Sequence, residues 1–163
     1  MPGADAAGTG SPLLVVGTNH RTSAVALRDR FALVEAELAA ALEGLRGAGL
    51  GEAALIATCD RVELVTTSGD GEQATARFVA LLADRAGFPA TAIAAGLYRH
   101  EGTAALRHVF AVTSALDALV IGEPQILGQV KAAHRLAAEL GLAGASLEAI
   151  FSAAYAAARR VRR

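Results

Sequence analysis

The residues best suited to covalent chemistry lie in Thr58-Cys59-Asp60-Arg61, which holds the only cysteine of this 163-residue chain. A free cysteine is commonly a small buried hydrophobe. Three features speak for a nucleophile. Cys59 falls between two strand-like runs, at a turn where side chains are reachable. Arg61 can favour the thiolate if it points the same way. Thr58, Asp60 and Arg61 add polar groups able to hold a polar substrate. On the residues alone both readings stand. A second constellation is Gly122-Glu123-Pro124-Gln125-Ile126-Leu127-Gly128-Gln129-Val130-Lys131. Pro124 places Glu123 in a loop before a helix, whose positive end favours the carboxylate. That pattern reads as a well-made helix start, or as a loop presenting Glu123, Gln125 and Gln129 to a substrate with amine and carboxylate groups. Gln125 and Gln129, four apart, share a helical face.

Asn19 and His20, in Asn19-His20-Arg21-Thr22, read as turn formers or as the lining of a cleft beyond a strand end. His108 stands in an apolar helical stretch, and no obvious partner appears for His100 or His134. The four histidines lack a metal-ligand spacing, and a lone cysteine excludes an internal disulfide, so no metal is expected. No Gly-rich phosphate loop is read between a strand and a helix, so this chain is expected to bind no nucleotide cofactor.

These groups need elements to hold them. Leu13 to Val16 reads as a buried strand between Pro12 and Gly17. From Arg28 to Arg46, Phe31, Val34, Leu38, Ala41, Leu42 and Leu45 recur at helical spacing, and Gly47 and Gly49 stop that helix. Ala53 to Ala57 and Val62 to Thr67 form strands joined closely enough for an antiparallel hairpin. A helix follows from Glu72 to Arg85, then a short strand from Leu97 to His100. The order is that of a ferredoxin-like βαββαβ antiparallel sheet of the α+β class, with both helices on one face. Helices then follow over Thr103 to Thr113, Ile126 to Leu140, and Ser146 to Arg163, with Ser146 as N-cap of the last. This divides the chain into a flexible leader (1–12), a ferredoxin-like unit carrying the cysteine (13–101) and a helical unit (102–163).

With 53% hydrophobic and 19% charged residues the chain can build a core. Its net charge of −1 gives no overall field for DNA, so any RNA contact is local, as at Arg159, Arg160, Arg162 and Arg163. No signal peptide or membrane-crossing run is visible, and a single cysteine fits a reducing cytoplasmic setting.

Taken together, Gly17 to Val25, Thr58 to Arg61, Leu116 to Lys131 and the closing Phe151 to Arg162 resemble the amino-terminal domain of glutamyl-tRNA reductase. The resemblance implies that Cys59 attacks the ester of glutamyl-tRNA and forms a glutamyl thioester. It implies an Arg61 pair with the substrate carboxylate and a hold on the glutamyl group by Glu123 and Gln129. It also implies a role in activity for His108. NADPH bound by a following domain would reduce the thioester to glutamate-1-semialdehyde, on the way to tetrapyrroles. That domain and helices for homodimerisation would lie beyond Arg163. Two positions depart from the family's pattern: Asp60 replaces an asparagine, where a carboxylate opposes thiolate formation, and Ala118 replaces a substrate-binding serine. These departures keep two alternatives open. One is a stand-alone relative that transfers or hydrolyses an aminoacyl group, and the other is a non-catalytic module that binds tRNA or a protein.

Overall fold

A computed structural model of the chain describes residues 12–23, 29–31, 33, 35–46, 50–118 and 120–163. Residues 1–11 of the expected leader (1–12), Ala24, Val25, Arg28, Val34, Gly47 and Gly49 lie outside the described residues. Four strands, β1 (Leu13–Asn19), β2 (Leu50–Ala57), β3 (Arg61–Ser68) and β4 (Tyr98–Glu101), form one sheet in the order β2-β3-β1-β4. All three pairings are antiparallel. Helices α1 (Glu35–Leu45) and α2 (Gly71–Ala86) complete the βαββαβ order. A short helix, α3 (Ala90–Ala95), precedes β4 and has no counterpart in the sequence reading. After β4 come α4 (Gly102–Thr113), α5 (Gln125–Glu139) and α6 (Ala145–Val161).

Alternation along the strands sends neighbouring side chains to opposite faces. Leu14, Val16, Leu55 and Leu64 pack with Ala41, Leu42 and Leu45 of α1 and with Phe78 and Leu82 of α2. Val15, Ile56 and Val65 pack with Val109 and Val112 of α4, Val130 of α5, and Phe151 and Ala154 of α6. The first pair of helices therefore covers one face, as expected, and the C-terminal helices cover the other. Every residue of β3 is buried. Charged side chains at its positions 61 and 63 are thus forced to find partners inside the protein.

Local chemistry explains where the helices start and stop. Asp70 accepts a hydrogen bond from the Gln73 backbone N–H at 3.0 Å at the start of α2, and Gly87 ends that helix in the left-handed region (φ 70°). The last helix corrects the expected Ser146 cap, because Ser146 lies inside its first turn. There Glu52, reaching over from β2, accepts from the Leu147 N–H at 3.1 Å. A Cβ at Gly144 would stand 2.8 Å from that Glu52 oxygen, so a glycine leaves room for the capping carboxylate. The cap comes from a residue distant in sequence, which spacing within the helix does not reveal.

Candidate functional site

The hairpin between β2 and β3 presents Cys59. Thr58 N–H donates to the Arg61 carbonyl at 2.8 Å, and the Thr58 hydroxyl accepts from the N–H groups of Asp60 (3.1 Å) and Arg61 (3.2 Å). Thr58 therefore shapes the turn. Cys59 is exposed there, beside a cleft of about 390 Å³ lined also by Asp60, Val120, Ile121, Gly122, Glu123 and Pro124. Arg162, at the end of α6, donates to the Glu123 and Pro124 carbonyls at 3.4 Å each and ties this rim to the last helix. The structure thus brings Cys59, Asp60, Glu123 and Pro124 together. Gln125 is exposed in the first turn of α5. Gln129 lines a different cavity of about 420 Å³, with Leu38, Ala57 and Leu136.

Behind the thiol lies a buried cluster of charges. The Arg61 side chain is 0% exposed, which leaves none of its guanidinium at the surface beside Cys59. Its NH1 donates to Glu63 at 3.0 Å and to Asp117 Oδ2 at 3.2 Å. Its NH2 donates to Asp60 at 3.3 Å and to the Asp117 backbone carbonyl. All four terminal N–H bonds are therefore engaged, and among the described residues the buried Nε finds no partner. Burial disfavours the charged guanidinium, but Glu63, Tyr98 and Asp117 outweigh it and raise its pKa further.

Glu63 is itself 1% exposed. Besides Arg61 it holds His108 Nε2 at 2.5 Å, and it accepts from the Tyr98 hydroxyl. Burial works against its charge, yet His108, Arg61 and Tyr98 keep its carboxyl below the usual carboxylate range. The Tyr98 hydroxyl moves the other way, pushed up by burial and by Glu63. His100 stacks on His108 with ring centres 4.6 Å apart, and burial followed by that neighbour lowers its pKa.

Gly17 makes this arrangement possible. It sits opposite Glu63 on one side and Tyr98 on the other. A Cβ there would fall 2.6 Å from Glu63 Cγ and 2.7 Å from the Val62 carbonyl oxygen. Glu63 needs that gap to lie across β1 towards Tyr98.

Asn19 behaves as a turn former: its Oδ1 accepts from the Arg21 N–H at 2.9 Å, and its carbonyl accepts from Thr22 and Ser23. His20 Nδ1 stands 2.6 Å from Asp60 Oδ1, an ion-pair separation without hydrogen-bond alignment. Arg21 pairs with Asp117 Oδ1. Ala118 is buried beside that aspartate.

Sequence reasoning missed Glu63, Tyr98, Asp117 and Arg21 as members of this cluster. Glu63 carried a usable signal, since residues 61 and 63 of one strand share a face. Asp117 carried none, as it meets Arg61 across 56 positions of chain. Among the described residues no group of three His, Cys, Asp or Glu side chains could hold a metal ion, and no helix is long and apolar enough to cross a membrane.

An exposed cysteine on a hairpin, backed by a buried arginine and carboxylates within a sheet covered on both faces, defines a cysteine-bearing α+β domain. Comparison with known proteins gives the family. A model of the glutamyl-tRNA(Glu) reductase N-terminal domain matches residues 16–163, and the chain belongs to that family. It is 46% identical over 149 residues to the glutamyl-tRNA reductase of Rhodospirillum rubrum, covering 91% of this chain and 35% of that protein. It is 39% identical over 151 residues to the enzyme of Geobacter sulfurreducens, covering 92% and 35%. The solved structure of glutamyl-tRNA reductase from Methanopyrus kandleri superimposes with a TM-score of 0.71 at 27% identity, covering 92% of this chain and 34% of that one. The chain spans about a third (35%) of the length of the curated relatives it matches.

Proposed function

We propose that this chain is an acyl-capturing unit for glutamyl-tRNA, with Cys59 as nucleophile. The thiolate sulfur adds to the ester carbonyl, the carbon–oxygen bond to the terminal ribose breaks, and the leaving oxygen takes up a proton. The product is a glutamyl thioester on Cys59 and free tRNA. A thiolate suits an activated ester, and the thioester keeps the acyl group reactive for a later step. The observation that carries this reading is the exposed thiol on one cleft with Glu123, directly following which the chain enters a buried strand with Arg61 and Glu63. Arg61 attracts the substrate carboxylate, and Glu123 faces its ammonium group. His108 is a positioning residue, acting through Glu63. The ammonium and carboxylate of a glutamyl group match this pattern of charge.

NADPH would supply a hydride to the thioester, but the described residues do not fit it. The turn from β3 into α2 carries Gly69 and Gly71, yet the Asp70 carboxylate already caps that helix start, where a pyrophosphate would need the N–H groups. No reductive step is therefore derived for this chain. A cytoplasmic setting follows from the need for charged tRNA and a free thiol. Incubation with glutamyl-tRNA and intact-mass detection tests the reading. A hydroxylamine-labile glutamyl adduct that disappears in Cys59→Ser supports it, and continuous deacylation without an adduct counts against it.

A further inference from the structure

The Asp117 carboxylate bridges two guanidiniums. Its Oδ2 lies 3.2 Å from Arg61 NH1, and its Oδ1 pairs with Arg21 NH1. Arg61 has no terminal N–H left for a further acceptor, because Glu63, Asp60 and the two oxygens of Asp117 hold all of them. Glu63 is locked in the central strand by Tyr98 and His108, and Asp60 is buried at the hairpin beside His20. Asp117 differs: it lies outside the helices and strands, its side chain is 18% exposed, and its second arginine, Arg21, is 58% exposed. It is the most exposed of the three carboxylates on Arg61, at 18% against 9% for Asp60 and 1% for Glu63.

We propose that Arg61 and Arg21 together form the subsite for the substrate's side-chain carboxylate, and that Asp117 occupies this subsite as an internal competitor until the substrate displaces it. The inference rests on the acyl-capture reading for the identity of the substrate. In an aminoacyl ester the α-carboxyl is esterified, so a glutamyl group retains a single free acid, that of its side chain. This acid can span the same two arginines with the charge and shape of the aspartate it replaces, each arginine contributing a charge-assisted N–H. Exchange leaves the number of negative charges around Arg61 unchanged. Adding a ligand carboxylate without displacing Asp117 would place a fourth carboxylate on a cation already facing three. The exchange also provides selectivity: a neutral glutaminyl side chain cannot replace the charge that Asp117 withdraws. Arg21 thereby becomes a specificity-determining residue.

A ligand that binds only the competitor-free state pays a reduction in apparent affinity equal to the fraction of that state. If Asp117 is seated in nine of ten molecules, its removal tightens binding about tenfold. The test uses the whole chain with Cys59→Ser, so that binding is read without thioester chemistry, and glutamate α-methyl ester as probe with glutamine methyl ester as control. Calorimetric titration of Asp117→Asn and Asp117→Ser should give a Kd for the glutamate ester about tenfold lower, with no gain for the glutamine ester. Both variants should also melt at lower temperature than the parent, since an ion pair is lost. Affinity and stability moving in opposite directions would not arise from a purely structural aspartate. Arg21→Gln should weaken the glutamate ester. Unchanged or weaker binding of the glutamate ester in both folded Asp117 variants would overturn the proposal. Tightening without any adduct from glutamyl-tRNA on the unmodified chain would keep the subsite and overturn acyl capture instead. Adduct formation without tightening would do the reverse.

Discussion

Replacing Gly17 by alanine puts the smallest possible side chain into the gap that Glu63 crosses. The new Cβ would stand 2.6 Å from Glu63 Cγ, 2.7 Å from the Val62 carbonyl oxygen and 3.1 Å from Glu63 Cα, where ordinary contacts begin at 3.4 Å. Two of those atoms are backbone of the central strand, so rotation of Glu63 alone does not relieve the clash. Separating β1 from β3 resembles overpacking and costs about 1–3 kcal/mol. Expelling Glu63 instead strands Arg61 and costs about 3–5 kcal/mol, the penalty for breaking a buried ion pair. The protein takes the cheaper route, so the net loss should be about 1–3 kcal/mol. For a domain of this size that lowers Tm by roughly 2–12 °C. Circular dichroism melts of Gly17→Ala and Gly44→Ala make the comparison. Gly44 lies within α1 with nothing within 4 Å of a built Cβ, and alanine there should stabilise by up to about 1 kcal/mol. A Gly17→Ala protein melting at or above the parent temperature would refute the packing argument.

Other perturbations follow from the same cluster and core. Phe78 is wholly buried between α2 and the sheet, and Phe78→Ala should cost about 3–5 kcal/mol in urea unfolding. The carboxyls of Glu63 and Asp117 are held below their ordinary values of 4.5 and 3.8. Groups lowered on folding stabilise above the unfolded pKa and lose that contribution as pH falls towards the folded one. Stability should therefore decline on acidification below about pH 4.5. Glu63→Gln should flatten that decline in melts taken from about pH 6 to about pH 3; an unchanged slope would contradict the assignment.

The strand order was legible because β1, β2 and β3 each contain an apolar run closed by Gly, Pro or a polar turn, and because β2 and β3 are separated by only three residues, 58–60. The apolar faces of α4, α5 and α6 were legible too, at helical spacing, although their partner was not: the strands bury side chains on both faces, and sequence does not say which helix covers which. Cys59 and Glu123 stood out through local context, a tight turn and a proline. The buried cluster did not. Arg61 and Glu63 look like surface charges until Tyr98, His108 and Asp117 arrive from 35, 45 and 56 positions away. The cap on α6 was hidden for the same reason, since Glu52 reaches Leu147 across 95 positions. Asp60 looked unfavourable beside a reactive thiol, and the structure sets it 2.6 Å from His20 Nδ1 and 3.3 Å from Arg61 NH2, contacts that the turn sequence does not reveal.

The most direct test of the central claim is peptide mapping by mass spectrometry after the chain meets glutamyl-tRNA in a single turnover. The account predicts one glutamyl group, removable by hydroxylamine, on the peptide containing Cys59, with an equal amount of tRNA released. A glutamyl group on any other residue, or release of tRNA with Cys59 left unmodified throughout, would contradict it.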